Sequence, residues 1–329
     1  MAQQTARPSV SVALCTRNGA RFVGEQVRSI LAQTVPPVEI VLSDDASTDE
    51  TVAIVEALVA PSAVRLTVLR NDPPLGVTKN FERAVTRCSG DLVALSDQDD
   101  VWRADRLERT VALFEADPGL LLAGSDARLI DADGVPLPHS LFESLELDDD
   151  ELESVDNGGA FAALRRRNLV TGATAVFRRS LVADTVPFPT SWVHDEWLAV
   201  IASALGRVML VEEQLVDYRQ HGTNQIGAEK KGFREKFERL TMPRSDRNAR
   251  LEARAEALVE RLRSWGEAVA PSTLALAVEK LTHERVRNSL PVARIRRLAP
   301  VIAEVRSGRY ESCGRGLQDV VRDLVQPAR

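Results

Sequence analysis

Long apolar segments and paired cysteines are both missing from this sequence, and each absence excludes a class of protein. No run approaches the roughly 18 to 20 uninterrupted apolar residues that a membrane-spanning helix needs, and the first residues lack the pattern of a signal peptide. The three cysteines are odd in number, far apart, and without the CxxC or Cys/His spacing of a metal site. The sequence therefore predicts a soluble globular protein in a reducing, cytoplasmic compartment.

The charge of the chain is unevenly distributed. The net charge is −6, yet residues 230–310 hold 19 Lys or Arg against 10 Asp or Glu, which gives +9 and leaves −15 for the remaining residues. A basic helical tail of this kind could lie against an anionic membrane surface, an acidic partner or a second copy of the chain, whereas nucleic acid is not an expected partner. A solvated, arginine-rich helix face explains the same composition equally well.

Short β-branched runs alternate with amphipathic stretches in the first third of the chain. Strands are predicted at VSVAL, VEIVLS, VRLTVL and LVALS, and helices at residues 22–33, 49–60, 77–88 and 104–116. Strict alternation predicts right-handed βαβ units and a parallel sheet. At 329 residues the chain is long enough for one large α/β unit with an appendage or for two domains. Ligands bind such sheets beyond the carboxyl ends of the strands.

The pattern changes after residue 120. Residues 120–218 mix strand candidates with an acidic loop around residues 147–156, and a helix is predicted to begin near Ser191. This half is expected to shape a second binding site. Residues 230–329 indicate several helices, which are interrupted by Pro243, Pro271, Pro291 and Pro300.

A dense group of carboxylates follows the fourth predicted strand, LVALS. The run Asp97-Gln98-Asp99-Asp100 places three carboxylates within four residues, and their mutual repulsion requires compensation. A divalent cation such as Mg²⁺ or Mn²⁺ supplies it, because these ions take oxygen ligands and are held by one or two carboxylates plus substrate phosphates. An acidic surface turn, or a helix N-cap from Asp100 or Asp105, is the commoner explanation of an isolated Asp-x-Asp.

A second acidic turn, Asp44 to Asp49, ends the second predicted strand. Ser47 or Thr48 starts a helix there, so capping needs only one of the acids. Asp45 remains available to accept a hydrogen bond from a nucleobase or a ribose hydroxyl, which is how a carboxylate at a topological switch point recognises a nucleotide. The two acidic turns together therefore favour a nucleotide site over a simple helix cap.

Three ordered segments, VSVALCTRNG, VEIVLSDDASTDET and LVALSDQDDVW followed by DRL, resemble family 2 of the inverting glycosyltransferases, and closely its bacterial rhamnosyltransferase-type members. The resemblance covers about residues 8–225. It implies the GT-A fold, an α/β fold whose Rossmann-like, mixed, mostly parallel sheet is flanked by helices. The implied domain spans residues 1–228, with a nucleotide-binding half of about 8–122 and an acceptor half of about 123–228, and a C-terminal helical region spans residues 229–329.

The resemblance also implies roles for individual residues at the first, second and fourth strand ends. Asp45 would contact the base or ribose, with Cys15 and Arg17 lining the same pocket. Asp97 and Asp99 would hold the metal. Asp44 would belong to the nucleotide-sugar site as a supporting neighbour, and Asp100 would be a cap or would support the metal ligands.

The segment from Leu75 to Phe81 resembles the start of the family's third helix, which passes close to the donor. Lys79 and Asn80 are the candidate donor contacts in it. Lys79 could meet phosphate as a point charge, and it could equally be an exposed surface lysine.

Inversion by a single displacement needs a group that takes the proton from the attacking hydroxyl. The segment WVHDEW, residues 192–197, resembles the family's acidic motif at a helix start, and the matching base is Asp195. The N-terminal helix dipole favours an ionised Asp at such a position, so placement rather than a raised pKa must make it a base. A first helical turn between two core tryptophans is the structural alternative.

Two further segments resemble parts of the acceptor half. The run YRQH resembles the family's YRxH segment, in which Arg219 would approach the diphosphate and His221 the diphosphate or the metal. The stretch around Gly172 resembles the loop beneath the acceptor, although a tight turn before a strand explains this glycine equally well.

The resemblance implies transfer of a sugar from a nucleoside diphosphate sugar to an acceptor hydroxyl, with inversion and with Mn²⁺ or Mg²⁺ as cofactor. A dTDP- or UDP-linked donor, rhamnose as the sugar, and a glycan or lipid-linked acceptor are the favoured substrates. Cytoplasmic location with peripheral contact to the inner face of the membrane is expected.

Three rival functions follow from the same residues. The run Asp97 to Val101 fits the DxDx[TV] pattern of haloacid-dehalogenase-type phosphotransferases, but that pattern normally follows a first strand and here three βα units precede it. A non-catalytic nucleotide-sugar binding protein would not need Asp195. A nicotinamide dehydrogenase is disfavoured because CTRNG, and not GxGxxG, follows the first strand.

Overall fold

The computed structural model describes residues 7–221 and 246–327. The chain divides into two compact units, Met1–Ala160 with Leu169–Ala228, and Phe161–Asn168 with Glu229–Arg329. Residues 161–168, which the sequence places in the acceptor half, thus belong to the second unit. The predicted boundary at residue 228 and the predicted helix break at Pro243 lie outside the described residues.

The first unit is built on a nine-stranded mixed sheet with the order β3-β2-β1-β4-β8-β6-β9-β5, and β7 pairs with β6. The strands are β1 (Val10–Thr16), β2 (Glu39–Asp44), β3 (Arg65–Arg70), β4 (Leu92–Ser96), β5 (Val101–Trp102), β6 (Leu120–Ile130), β7 (Pro136–Ser140), β8 (Val176–Arg178) and β9 (Arg207–Arg219). Strands β1 to β4 run parallel, as do β6 and β9.

Nine helices connect or flank these strands in the described part of the chain. They are α1 (Val23–Leu31), α2 (Thr51–Val59), α3 (Val77–Val85), α4 (Arg106–Ala116), α5 (Leu141–Ser144), α6 (Asp149–Ser154), α7 (Ala160–Leu164), α8 (Leu181–Thr185) and α9 (His194–Leu205). The alternation of strand and helix from β1 to β4 confirms the βαβ pattern predicted from the sequence. All but the first residue of α7 belongs to the second unit.

The strands form where the sequence carries continuous β-branched and apolar runs. Every residue of β1, β2 and β4 is buried, which is the pattern of parallel strands covered by helices on both faces. Strand β3 is only partly buried because it lies at the sheet edge. The turns that carry the predicted site residues follow these three strands, so the buried part of the sheet fixes their positions.

A short strand that the sequence analysis missed determines where the carboxylate turn lies. Strand β5 follows Asp97–Asp100 directly and pairs antiparallel with β9, with Val101 opposite Asp217 and Trp102 opposite Val216. Two residues carry too little periodicity to be recognised as a strand. Through this pairing, the turn after β4 lies beside the last residues of β9.

The second unit is helical in its described part. Its longer helices are α10 (Arg247–Ser264), α11 (Pro271–Asn288), α12 (Leu298–Arg306), α13 (Arg309–Cys313) and α14 (Leu317–Val325). Pro271 occupies the first turn of α11 and so begins a helix, as its fixed φ favours. In the described residues of both units no helix is long and apolar enough to cross a membrane, and Cys15, Cys88 and Cys313 are buried free thiols.

A buried ionic cluster holds the second unit together. Arg287 is 1% exposed, and its guanidinium lies 2.7 Å from Asp323 and 3.2 Å from Asp319. The hydroxyl of Tyr310 donates to Asp323 at 2.8 Å. Burial alone would lower the pKa of Arg287, but the carboxylates of Asp323, Glu284 and Asp319 raise it above its usual range. The cluster therefore keeps the cation charged in the interior.

Replacing Arg287 by methionine is expected to lower the free energy of unfolding of the second unit by about 3 to 5 kcal/mol, because it leaves the buried carboxylate of Asp323 without its cation. Hydrogen exchange of the α11 peptide during urea titration measures the change. Arg294→Met, at an exposed position, is the matched control and should stay within about 0.5 kcal/mol. Equal protection of α11 in both variants would contradict a stabilising role for the cluster.

Candidate active site

A cavity lies in the first unit at the carboxyl ends of β1, β2 and β4, where parallel sheets bind ligands. It is lined by residues from the strand-end turns, the start of α3, the loop before β8, the start of α9 and the end of β9. These are Cys15, Thr16, Arg17, Asp45, Val77, Asn80, Phe81, Asp97, Gln98, Asp99, Thr171, Gly172, His194, Asp195, Tyr218 and His221. Eight of the eleven predicted site residues are among them.

The three aspartates of the turn after β4 face different surroundings. Asp97 and Asp99 line the cavity. Asp100 is 1% exposed and points away from it, and one of its carboxylate oxygens accepts a hydrogen bond from the backbone N–H of Arg219 at 3.0 Å. Asp100 therefore fastens the turn to β9. Neither Asp100 nor Asp105 caps α4 with its side chain, so the alternative explanation of this turn as a helix cap is wrong.

Negative charge is crowded in the cavity. Burial, and next the carboxylates of Asp99 and Asp195, raise the pKa of Asp97 to about 8. Burial also raises the pKa of Asp99, against the lowering effect of the hydrogen bond from His221. These shifts mean that the unliganded cavity does not hold all of its carboxylates ionised near neutral pH. A bound cation would relieve this repulsion.

Arg219, at the end of β9, contacts the carboxylate turn on the side away from the cavity. Nε of Arg219 donates to the backbone oxygen of Asp99 at 2.8 Å, and another guanidinium nitrogen lies 2.6 Å from Glu25. Arg219 is 2% exposed and does not line the cavity. The family resemblance implies that this arginine approaches a diphosphate, but in the structure its guanidinium contacts the Asp99 backbone and Glu25.

His221 lies on the cavity side of the same segment. Its Nε2 is 2.7 Å from Oδ2 of Asp99, and its ring stacks on Phe22 with centroids 4.9 Å apart. Phe22 also lies beneath the guanidinium of Arg219, 5.0 Å away. This aromatic side chain, which the sequence analysis did not single out, thus orients both polar residues of the YRxH segment.

The loop after β1 is joined to the carboxylate turn through Gln98. Its side-chain oxygen accepts from the N–H of Arg17 at 2.8 Å, and its amide nitrogen donates to the Arg17 carbonyl at 3.2 Å. The Arg17 side chain is exposed at the rim and makes no ion pair with a described residue. Cys15 lines the floor, and burial raises the pKa of its thiol well above the usual value. Cys15 is therefore a neutral wall residue, and Arg17 is the cation available to a ligand.

Asp44 and Asp45 are neighbours with different surroundings. Asp44 accepts from the Thr16 hydroxyl at 2.7 Å and from the backbone and hydroxyl of Ser47, and it does not line the cavity. Its role is to hold the turns after β1 and β2 together. Asp45 does line the cavity. The sequence could not separate the two because both follow the same strand.

Asp45 is held by the loop before α3. Its carboxylate accepts from the N–H groups of Leu75 at 2.6 Å and Gly76 at 2.9 Å, and from the side chain of Asn71 at 3.0 Å. Gly76 has φ +81°, a backbone conformation that L side chains rarely adopt. Asn80 extends the network by accepting from Asn71 at 2.8 Å and donating to the Ser43 carbonyl at 3.0 Å. The carboxylate is thereby fixed in orientation at the cavity wall.

Lys79 does not reach the cavity. Its ammonium lies 2.6 Å from Glu82 and donates to the Phe188 carbonyl at 2.8 Å. An i,i+3 partner on the same helix face thus engages the charge that the sequence analysis offered to a phosphate. Lys79 is therefore not one of the residues that we assign to the donor site.

Asp195 lies in the first turn of α9, opposite the carboxylate turn, and is 8% exposed. Its Oδ2 accepts from the N–H of Gly172 at 2.9 Å, and its Oδ1 accepts from the N–H of Glu196 at 2.7 Å. A Cβ added to Gly172 would lie 2.9 Å from Nε2 of His194 and 3.5 Å from Cβ of Asp195. The structure therefore gives Gly172 a reason beyond a tight turn, since no side chain fits between it and this carboxylate.

His194 is a cavity residue to which the sequence analysis gave no role. Its ring stacks on Phe81 with centroids 3.8 Å apart, and neither ring nitrogen has a hydrogen-bond partner among the described residues. Burial lowers its pKa to about 3, so the ring is neutral. A neutral imidazole with unused nitrogens facing a cavity is placed to bind a polar ligand group. In the sequence, only its position directly before Asp195 indicated that His194 lies at the cavity.

The residues present fit a divalent cation held jointly with a ligand. In residues 7–221 and 246–327, no group of three or more His, Cys, Asp or Glu side chains is arranged to hold a metal alone. Mg²⁺ and related ions commonly use one or two carboxylates and complete their shell with substrate phosphates and water. Asp97, with its raised pKa, and Asp99 supply carboxylate oxygens of that kind. A donor phosphate would have to complete the site.

Several known proteins of similar sequence are named as glycosyltransferases. The chain is 28% identical over 222 residues to an uncharacterized glycosyltransferase of Nostoc sp., covering 65% of this chain and 66% of that protein. It is 25% identical over 238 residues to the dTDP-rhamnosyl transferase RfbG of Shigella flexneri, covering 70% and 79%. The match to an uncharacterized protein of Mycobacterium tuberculosis covers 59% of that protein, so the chain spans less than two thirds of several relatives that it matches.

Solved structures of similar fold include proteins in complex with sugar nucleotides. One is residues 1–349 of S. aureus TarS in complex with UDP-GlcNAc, with a TM-score of 0.59 and 15% identity over 96% of this chain and 90% of that one. Another is the mannosyltransferase PcManGT of Pyrobaculum calidifontis in complex with GDP-Man and Mn²⁺, with a TM-score of 0.55 and 20% identity over 97% and 86%. These likenesses confirm the GT-A fold.

The model of the family described as Glycosyl transferase family 2 matches residues 11–171. This segment begins in β1 and ends at Thr171 on the cavity wall, and it includes both acidic turns. The match confirms the family resemblance of the three strand-end motifs. Over residues 11–171, this chain is similar to glycosyl transferase family 2.

Proposed function

We propose that the protein transfers a sugar from a nucleoside diphosphate sugar to an acceptor hydroxyl with inversion at the anomeric carbon. The observation that carries the proposal is the convergence of Asp97 and Asp99 with Asp195 on one cavity, at the ligand-binding end of a family 2 sheet. Carboxylates on two walls provide the two functions that the reaction needs, which are a cation site for the leaving group and a base for the nucleophile.

The nucleoside part of the donor would lie between β1 and α3. Asp45 is fixed there by two backbone N–H groups and lines the wall, so a base N–H or ribose hydroxyl can donate to it without displacing other groups. Arg17 at the rim supplies a positive charge for phosphate, and Cys15 and Asn80 complete the wall. The four residues line one cavity, which supports their assignment to the donor site.

Asp97 and Asp99, with His221 beside Asp99, would hold Mn²⁺ or Mg²⁺ against the donor diphosphate. When bound, such an ion neutralises the negative charge that develops on the departing diphosphate. A Mn²⁺-bound mannosyltransferase of the same fold supports this assignment. The chain itself contributes a turn that Gln98, Asp100 and Arg219 hold in place.

Asp195 would act as the general base. The acceptor oxygen forms a bond to the anomeric carbon while the bond from that carbon to the diphosphate oxygen breaks, and the hydroxyl proton passes to Asp195. The hydrogen bonds from the N–H groups of Gly172 and Glu196 fix the carboxylate in orientation. His194, which is neutral, offers a hydrogen bond to a substrate hydroxyl next to the base.

A dTDP- or UDP-linked donor, with rhamnose as the transferred sugar, is the donor that we propose. The similarity to RfbG, which is named a dTDP-rhamnosyl transferase, supports this choice. We further propose a glycan or lipid-linked acceptor and a cytoplasmic location beside the inner face of the membrane. Mn²⁺-dependent hydrolysis across a panel of dTDP- and UDP-sugars identifies the donor directly, and no hydrolysis of any of them would count against the function.

Asp97→Ala and Asp99→Ala are each expected to lower transfer by about 10² to 10³-fold, because the leaving diphosphate loses its cation. Calorimetric titration with dTDP or UDP should show that Mn²⁺ strengthens binding to the wild type but not to either variant. Asp133→Ala, an exposed position outside the cavity, is the control. Equal strengthening by Mn²⁺ in the Asp97 and Asp99 variants would refute the metal assignment.

Asp195→Asn keeps the size of the side chain and removes the base, so turnover should fall by about 10² to 10⁴-fold while nucleotide affinity stays within about twofold. The matched control is Glu196→Gln, which changes the next carboxylate of the same helical turn but does not line the cavity. Steady-state kinetics with the preferred donor separate the two. Wild-type turnover by Asp195→Asn would remove this residue from the reaction.

Gly172→Ala is expected to lower turnover by at least about tenfold, since the new methyl group forces His194 and Asp195 to move and catalytic geometry tolerates little displacement. Donor affinity should change little. Gly24→Ala in α1 is the control, because its Cβ meets only ordinary contacts of 3.4 Å or more. A Gly172→Ala protein with normal turnover and an unchanged melting temperature would contradict the positioning role.

A further inference from the structure

An exposed apolar stretch in the second unit has no role in the proposed chemistry. Val292 is 77% exposed and Ile295 is 74% exposed. Leu298, Ile302 and Val305 follow in α12, each more than two fifths exposed. Single exposed apolar residues are common on proteins, but five within 14 positions form a surface that water disfavours. We call residues 292–306 the apolar stretch.

Helix α12 turns its apolar side outward. At about 100° per residue, Leu298, Ile302 and Val305 lie on one side of the helix, and that side is exposed. The buried side carries Val301, which packs with Leu290 and Tyr310, and Glu304, which is 2% exposed and lies 2.7 Å from the ring of His283. A helix that only covers a core buries most of its apolar residues and keeps its charges in water, whereas α12 buries one valine and one acid and exposes three aliphatic side chains. The exposed side of α12 therefore fits an apolar medium.

The charge of the apolar stretch is of one sign. Arg294, Arg296 and Arg306 are exposed, whereas its only acid, Glu304, is buried. A solvated protein surface normally carries both acidic and basic side chains. The exposed charges of the apolar stretch are all basic. Arginine and aliphatic side chains side by side match a bilayer interface, where guanidinium groups meet lipid phosphates and the aliphatic groups enter the acyl region.

The apolar stretch is held in a defined conformation. Arg297 is buried within it, and its guanidinium donates to the carbonyls of Pro291 at 2.6 Å, Val292 at 2.9 Å and Gln326 at 2.7 Å. These bonds tie the segment before α12 to the residue that follows α14. The exposed side chains are thus presented on a rigid support, which lowers the entropy cost of docking them.

We infer that the apolar stretch binds the surface of a bilayer that contains anionic lipids. The exposed aliphatic side chains insert into the interface, and Arg294, Arg296 and Arg306 meet the headgroup phosphates. The inference concerns the second unit alone and requires no sugar nucleotide, so it stands or falls separately from the proposed transfer activity. It assigns a surface to the membrane contact that the basic composition of this region left open.

Sedimentation with vesicles tests the inference on the full chain. Wild-type protein should bind phosphatidylcholine vesicles that contain roughly a third phosphatidylglycerol, bind pure phosphatidylcholine much less, and lose part of its binding at high salt. Ile295→Ser with Ile302→Ser, and separately Arg294→Gln with Arg296→Gln, should each reduce the partition coefficient on the order of tenfold. Val135→Ser, which changes an equally exposed valine of the first unit, should bind like the wild type.

Three outcomes would overturn the inference. The first is wild-type binding that does not depend on phosphatidylglycerol. The second is wild-type binding by the Ile295→Ser, Ile302→Ser protein with an unchanged melting temperature. The third is the absence of vesicle binding together with a dimer in sedimentation velocity that these substitutions dissociate, which would identify the apolar stretch as an interface between two copies of the chain.

Discussion

The site depends on the connection between the turn after β4 and the end of β9. These segments are more than a hundred residues apart, yet the hydrogen bond from the Arg219 N–H to Asp100 and the pairing of β5 with β9 join them. The connection places Asp99 next to His221 and turns Asp97 toward Asp195. The hydrogen bonds of Gln98 with the backbone of Arg17 hold the other side of the same turn, so that its carboxylates face the cavity and not the solvent.

That arrangement brings buried carboxylates close to one another, which disfavours their ionised forms. Burial, and next the carboxylates of Asp99 and Asp195, raise the pKa of Asp97 to about 8, so the unliganded cavity does not hold all of its carboxylates ionised near neutral pH. Structural carboxylates elsewhere in the chain behave differently. Hydrogen bonds from Ser11, Arg65 and Ser89 offset the burial of Glu39 and lower its pKa to about 2. A lowered pKa thus marks a carboxylate whose hydrogen bonds stabilise the fold, whereas a raised pKa marks one that a bound ligand or cation would stabilise.

The sequence predicted the βαβ half of the fold and brought Asp45, Asp97 and Asp99 to one region, because strand alternation fixes where strand ends meet. Asp195 and His221 were predicted from the family resemblance alone. It could not exclude Lys79 or Arg219, since their partners come from the tertiary structure as well as the local chain. It likewise missed Phe22 and His194, whose roles depend on stacking against residues distant in sequence. Residues 161–168 belong to the second unit, and their position in the chain did not reveal this because it depends on contacts with residues distant in sequence.

The stacking of His194 on Phe81 also affects how the fold responds to acid. The folded protein holds this ring neutral, with a pKa of about 3, whereas an unfolded chain takes up a proton near the ordinary value of about 6.5. Below that value the unfolded state binds one proton more than the folded state. Folding then loses about 1.4 kcal/mol for each further unit of pH until the ring itself is protonated. A residue at the acceptor side of the cavity therefore contributes to the lower limit of the pH range in which the first unit stays folded.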